Sequence, residues 1–233
     1  MTKLRKRFYK EAAAGSADGG FTVLLDDRPL RTPKGHPLIL PTLALAEAIA
    51  SEWKAQGERI EPETMPQMQV AATAIDRVAA ERAAMHESLM RYCETDLLCY
   101  RAAHPADLAK RQAETWQPVL DWAALNLDAP LMMTEGLAPI EQPAQALKAI
   151  GAQLERYDHW RFTALSVTAS ASGSLLLALA LVEGHLDASG VIAASQLDES
   201  YQQELWGADE EAQERQQALA QEIKAAWRFI TLI

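Results

Sequence analysis

Hydrophobic and polar positions alternate over short stretches between Arg7 and Pro41, and beyond that point the apolar residues recur at helical spacing. Phe21 to Leu25 predicts a strand, Asp26-Asp27 a turn, Arg28 to Leu30 its return, and Thr32 to Gly35 a second turn before a further short strand at Leu38 to Leu40. This predicts a small twisted sheet or partial barrel whose edges are covered by the helices after it. Thr42 opens a helix through Leu45, Ala48, Ile49 and Trp53, which Gly57 ends. Glu61 to Pro66 reads as a proline-bearing loop, and Gln67 to Ala84 as helix again. Further helices are predicted at Met85 to Tyr100, Pro105 to Leu125, Pro143 to Tyr157, His159 to Ala171, Ser174 to Val182, Ser189 to Trp206 and Asp209 to Phe229, with loops at Asp128 to Pro130 and Glu135 to Pro143. The expected fold is α+β: a small β-containing N-terminal domain over residues 1–84, then a larger all-α domain over 85–233.

Phe162 to Val182 is free of charge and long enough to span a bilayer. Polar Thr and Ser residues fill its first half, however, and Gly173-Ser174 predicts a break. Leu175 to Val182 is therefore expected to be a helix buried on all sides, with no membrane insertion.

The stretch Leu197 to Ala212, LDESYQQELWGADEEA, has a different pattern. At about 100° per residue, Leu197, Tyr201 and Leu205 form one apolar stripe and Trp206 points roughly opposite Leu197. Glu204 falls within about 20° of Leu197, at the edge of the stripe, where a charge needs a partner. Gly207 supplies a helix stop, and Asp209 with Glu210 and Glu211 supplies an N-cap and an acidic first turn. One reading is a docking surface; the other is a Trp206 covered by the same chain and a Glu204 paired with an internal Arg.

Composition narrows the function. A chain of 233 residues with 49% apolar content can bury a core without metal or disulfide support. A net charge of -10 argues against nucleic acid as the main ligand. The cluster Lys3, Arg5, Lys6, Arg7 and Lys10 is a solvated tail or a binding patch. Two cysteines, Cys93 and Cys99, would sit roughly 9 Å apart along one helix, too far to bridge, and a reducing cytoplasm fits them.

No catalytic constellation emerges. Asp96 falls in the middle of the stripe Met85, Leu89, Tyr92, Cys93 and Tyr100, which implies a buried carboxylate. It is either an acid or base with a raised pKa or, as favoured here, a hydrogen-bonded Asp that fixes helix packing. His36, His86, His104, His159 and His185 are scattered without metal-site spacing, and phosphate-loop, dinucleotide and nucleophile-elbow motifs are missing. No metal and no cofactor are expected. Trp53, with Ile49 and Ala46, is expected to pack its helix over the sheet or the second domain. Trp116, Trp122 and Trp227 occupy positions compatible with core.

The blocks VLLDDRPLRTPKGHPLILPTLALAEAIASEW, AIDRV, YCETDLLCYRA, LDWA, GSLLLALA and LDESYQQELWGADEEA, in this order, resemble the F-type ATP synthase assembly chaperone family of mitochondria and α-proteobacteria. The resemblance implies a non-enzymatic chaperone that binds the free α subunit of the catalytic head and shields its β-facing surface until α/β assembly. It matches Trp53 and Glu204 to functionally sensitive positions of the family. Partner contact is accordingly expected from Glu204, Trp206, Asp198, Glu199 and Asp209, with Trp53 and Asp96 structural. A monomeric bacterial cytoplasmic protein is expected, with organellar relatives in the mitochondrial matrix. Two other classes compete: a small hydrolase or isomerase using Asp96 or Glu204 as general acid/base, and a scaffold without chaperone activity.

Overall fold

A computed structural model describes residues 4–136, 138–207 and 209–233. Lys3 of the basic cluster and Leu137 of the loop expected at Glu135 to Pro143 lie outside the described residues. The chain divides into two compact units: one comprises the residues up to Arg82 together with Arg228–Ile233, the other Ala83–Trp227.

The first unit is built on a three-stranded antiparallel sheet, β1 Ala12–Ala17, β2 Gly20–Leu25 and β3 Arg28–Pro29. Asp26 and Asp27 both adopt positive φ, 48° and 65°, as a two-residue hairpin loop requires. Strand β1 is absent from the predicted elements, because AAAGSA lacks the branched and aromatic side chains that mark a strand. Leu38 to Leu40 forms only an isolated bridge, Leu40 to Phe21, rather than a full strand. Gly20 sits at that bridge, where a Cβ would lie 2.4 Å from the Leu40 carbonyl oxygen.

Helix α1, Leu43–Lys54, is capped by Thr42, whose hydroxyl accepts from Leu45 N–H. It packs on β1 and β2, and Leu45, Ile49 and Trp53 join Val23, Leu25, Leu38 and Leu40 in the core. The Trp53 carbonyl accepts the buried Tyr9 hydroxyl at 2.6 Å, and the two rings meet edge to face. A 3-10 turn at Pro62–Thr64 leads into α2, Pro66–Thr73, and a π-helical segment, Ala74–Val78, continues into α3, Ala79–Glu94. The π segment carries the buried Asp76, whose carboxylate accepts from Thr32 Oγ1 (2.6 Å) and Lys34 N–H (3.1 Å) and meets His36 Nδ1 at 2.8 Å. Asp76 thus ties the Thr32 to His36 turn to the helix.

The second unit is almost entirely helical: α4 Ala106–Asn126, α5 Ala144–Arg156, α6 His159–Ser172, α7 Leu175–Val182, α8 Ala188–Ser195, α9 Leu197–Trp206 and most of α10 Glu210–Leu232. It also holds two short parallel strands that local pattern does not predict, β4 Tyr100–Arg101 and β5 Thr134–Glu135. Every residue of α7 is buried, and α4, α6 and α8 pack around it. Burying each of its leucines stabilises the fold by about 1.5–3 kcal/mol. Gly173 breaks the apolar run at φ 69°, and Ser174 caps α7, its hydroxyl accepting from Leu177 N–H. None of the described helices is long and apolar enough to cross a membrane. The small sheet followed by a mostly helical region makes the fold α+β.

Asp96 corrects the expected Met85 to Tyr100 helix. The helix stops at Glu94, and Asp96 caps a separate 3-10 turn, Leu97–Cys99, rather than sitting mid-helix. The side chain is nevertheless fully buried. Its Oδ1 accepts from Ser174 Oγ at 2.8 Å and Leu98 N–H at 3.1 Å, and Oδ2 accepts from Leu176 N–H at 3.0 Å. One carboxylate therefore satisfies the first turn of α7 as well as the turn after α3. The two cysteines accordingly do not share a helix; both are free and buried, and burial raises both thiols, Cys99 to about 12.

Candidate functional site

The expected single helix Ser189 to Trp206 is two helices, α8 and α9, joined at Gln196. Gln196 Nε2 donates to the Gln216 carbonyl and Gln203 Nε2 to Gln216 Oε1, at 2.9 and 2.8 Å, fastening α9 to α10. Burial fades along α9. Tyr201 is buried and Leu197 half-buried, but Leu205 is 55% exposed, so the apolar stripe ends one turn earlier than its periodicity predicts. Trp206 is 76% exposed and is not covered by the chain.

Glu204 has the partner that its position demands. Arg111 of α4 reaches Glu204 Oε2 at 2.7 Å, approaches Asp107 at 3.4 Å and lies over the Tyr201 ring at 5.1 Å. Glu204 lies in the last turn of α9, where a helix carries partial negative charge, and Arg111 offsets that repulsion. The pair is open to water, so it orients the carboxylate more than it stabilises the fold. Asp198 is half-buried and accepts from Gln112 Nε2 at 2.7 Å, while Gln112 Oε1 accepts from Ala102 N–H at 2.8 Å. Glu199 is exposed.

Gly207, at φ 88° and ψ 164°, turns the chain out of α9. Asp209 then accepts from Ala212 N–H at 3.2 Å, as expected of an N-cap, and Glu210 and Glu211 follow in the first turn of α10. The stretch Leu197 to Ala212 holds six carboxylates and no Lys or Arg, and Arg111, which pairs with Glu204, comes from another helix. The outcome is an exposed indole and leucine edged by acidic groups, a surface suited to an apolar partner with basic neighbours.

Sequence reasoning missed Arg111 and Gln112, which hold Glu204 and Asp198 from 93 and 86 residues away. Trp53 is 8% exposed and lies in the first unit, and Trp227 is 39% exposed rather than core. Asp96 has no surface open to a substrate and Glu204 stands in solvent, so the hydrolase or isomerase reading loses both of its proposed acid/base residues.

A family model described as ATP12 chaperone protein matches residues 6–124. The mitochondrial protein atp12 of Schizosaccharomyces pombe is 26% identical over 221 residues, 90% of this chain and 76% of that protein. The crystal structure of Atp12 from Paracoccus denitrificans is 42% identical and superposes with a TM-score of 0.93 over 98% of both chains. A mutant of that Paracoccus protein has the same identity and TM-score over 98% of this chain and 97% of that one. The Atu1473 protein of Agrobacterium tumefaciens, a putative chaperone by its description, is also 42% identical with a TM-score of 0.93, over 98% of this chain and 86% of that one. With the matching fold and the family match over half the sequence, this chain belongs to the ATP12 family of ATP synthase assembly chaperones.

Proposed function

We propose that this chain is a non-enzymatic chaperone that binds the free α subunit of the F-type ATP synthase head and shields its β-facing surface until α and β assemble. The observation that carries this reading is Trp206, 76% exposed beside the exposed Leu205 at the end of α9, with Glu204 held next to them by Arg111. A subunit awaiting its neighbour presents apolar surface that must be covered reversibly. A small aromatic patch edged by carboxylates binds such a surface and still yields to a larger native interface. Glu204, Trp206, Asp198, Glu199 and Asp209 make the contact, while Trp53 and Asp96 maintain the two units. The chaperone works as a monomer, without nucleotide, where the catalytic head is made: the cytoplasm in bacteria and the matrix in mitochondria.

Co-expression with tagged α subunit tests the assignment. Glu204→Lys sets a cation against Arg111 and the partner's basic neighbours, and should reduce captured chaperone about tenfold while the variant melts like wild type. Unchanged capture by the folded variant would remove Glu204 from the interface.

A further inference from the structure

The first unit carries a second surface, unlike α9 in chemistry. A cavity of about 480 Å³ is lined by Leu4, Phe8, Trp53, Met65 and Met68 on its apolar sides and by Arg5 and Arg31 as its charged members. Its volume falls within the roughly 300–1,000 Å³ of sites that enclose organic ligands. Phe8 is 55% and Leu4 41% exposed, so the outer wall is open, while Trp53, Met65 and Met68 are buried beneath. The Arg5 guanidinium lies 4.6 Å over the Phe8 ring.

Three observations separate this groove from an ordinary surface depression. Trp53, at only 8% exposed, forms a broad apolar floor together with Met65 and Met68 beneath the open wall of Phe8 and Leu4. Among the described residues neither Arg5 nor Arg31 is in an ion pair, and no carboxylate lines the cavity. The adjoining cavity shares Arg5, Phe8 and Arg31 and adds Arg28, with Asp26 as its single acid. This cationic rim belongs to a chain of net charge -10. Finally, the wall at Thr32 and Pro33 is fixed by Asp76 through Thr32 Oγ1 and Lys34 N–H, so the groove is formed before anything enters it.

We infer that this groove is a second client-binding site, taking an extended peptide segment whose aliphatic side chains are flanked by Asp or Glu. Apolar side chains cover Phe8, Met65 and Met68, and the flanking carboxylates pair with Arg5 and Arg31. The methionines let the floor adapt to different side chains. The site rests on the chaperone family membership and not on which ATP synthase subunit α9 contacts. It selects acidic flanks, whereas the α9 surface selects basic ones.

The test is fluorescence anisotropy on the full chain with a fluorescein-labelled peptide of four leucines between paired aspartates, and with the same peptide carrying lysines instead. The aspartate peptide should bind at least tenfold more tightly and shift the Trp53 indole N–H signal in an amide correlation spectrum. Phe8→Asp should weaken it at least tenfold, and Arg5→Glu with Arg31→Glu should abolish the preference between peptides, with melting temperatures retained because these side chains are exposed or lie on the rim. Glu204→Lys should leave peptide binding unchanged, which separates failure here from failure of the α9 assignment. Equal binding of the two peptides, a shift confined to the Trp206 signal, or a dimer that Phe8→Asp dissociates in sedimentation would overturn the inference.

Discussion

Replacing Asp96 with alanine should lower the unfolding free energy by about 3–5 kcal/mol at pH 7 and the melting temperature by about 10 °C. The substitution removes one acceptor group but strands three buried donors: Ser174 Oγ–H, Leu98 N–H and Leu176 N–H. Two of these serve α7, the helix buried on every side, so the loss falls where water cannot replace it. Titration gives a second handle on the same residue. Burial pushes the Asp96 carboxyl up to about 6, against the opposing pull of its N–H and hydroxyl donors. An unfolded Asp titrates near about 3.9, so between these values the native state keeps a proton that the unfolded chain has released. The contribution of this group is therefore fully present below about pH 4 and is lost as pH rises through about 6. Asp96→Asn is neutral throughout. Urea unfolding of both proteins should show wild type losing about 2–3 kcal/mol relative to Asp96→Asn between about pH 4 and 7. A difference that stays flat would mean that the carboxyl is already ionised at the acid end of that range.

The second large effect is expected at Trp206. Trp206→Ala should weaken capture of the α subunit about 30-fold, the loss typical of a central aromatic anchor worth about 2 kcal/mol, and leave the melting temperature unchanged. The separation of effects follows from exposure: at 76% exposed the indole contributes little to the fold, so its removal is felt only when a partner covers it. Surface plasmon resonance with immobilised α subunit measures the first quantity and a thermal melt the second. A variant that melts early and binds normally would place Trp206 in the fold instead.

Local pattern makes part of this molecule legible. The Thr42 cap and the spacing of Leu45, Ile49 and Trp53 locate α1, Gly173-Ser174 locates the break before α7, and the Asp209 cap locates the start of α10. The features that escape it depend on distant chain. Strand β1 is held by pairing to β2, not by its own alanines, and β4 with β5 joins Tyr100 to Thr134 across a whole helix. Apolar period carries the predicted helix past Glu94, although Thr95-Asp96 offers a local stop signal; the groups that Asp96 satisfies, Ser174 Oγ and Leu176 N–H, lie 78 and 80 residues away. At the α9 surface, geometry along one helix indicates that Glu204 needs a cation and that Trp206 faces away from the stripe. It does not indicate that the cation is Arg111, nor that burial ends at Tyr201. The groove in the first unit is spread over Leu4 to Ala72 and has no signature in any one stretch.

The central claim is that this chain covers the α subunit until β replaces it, and light scattering of purified α subunit diluted from denaturant measures that directly. An equimolar amount of this protein should suppress aggregation, and added β subunit should then displace it into an α/β complex. An α subunit that aggregates at the same rate with and without it would contradict the account.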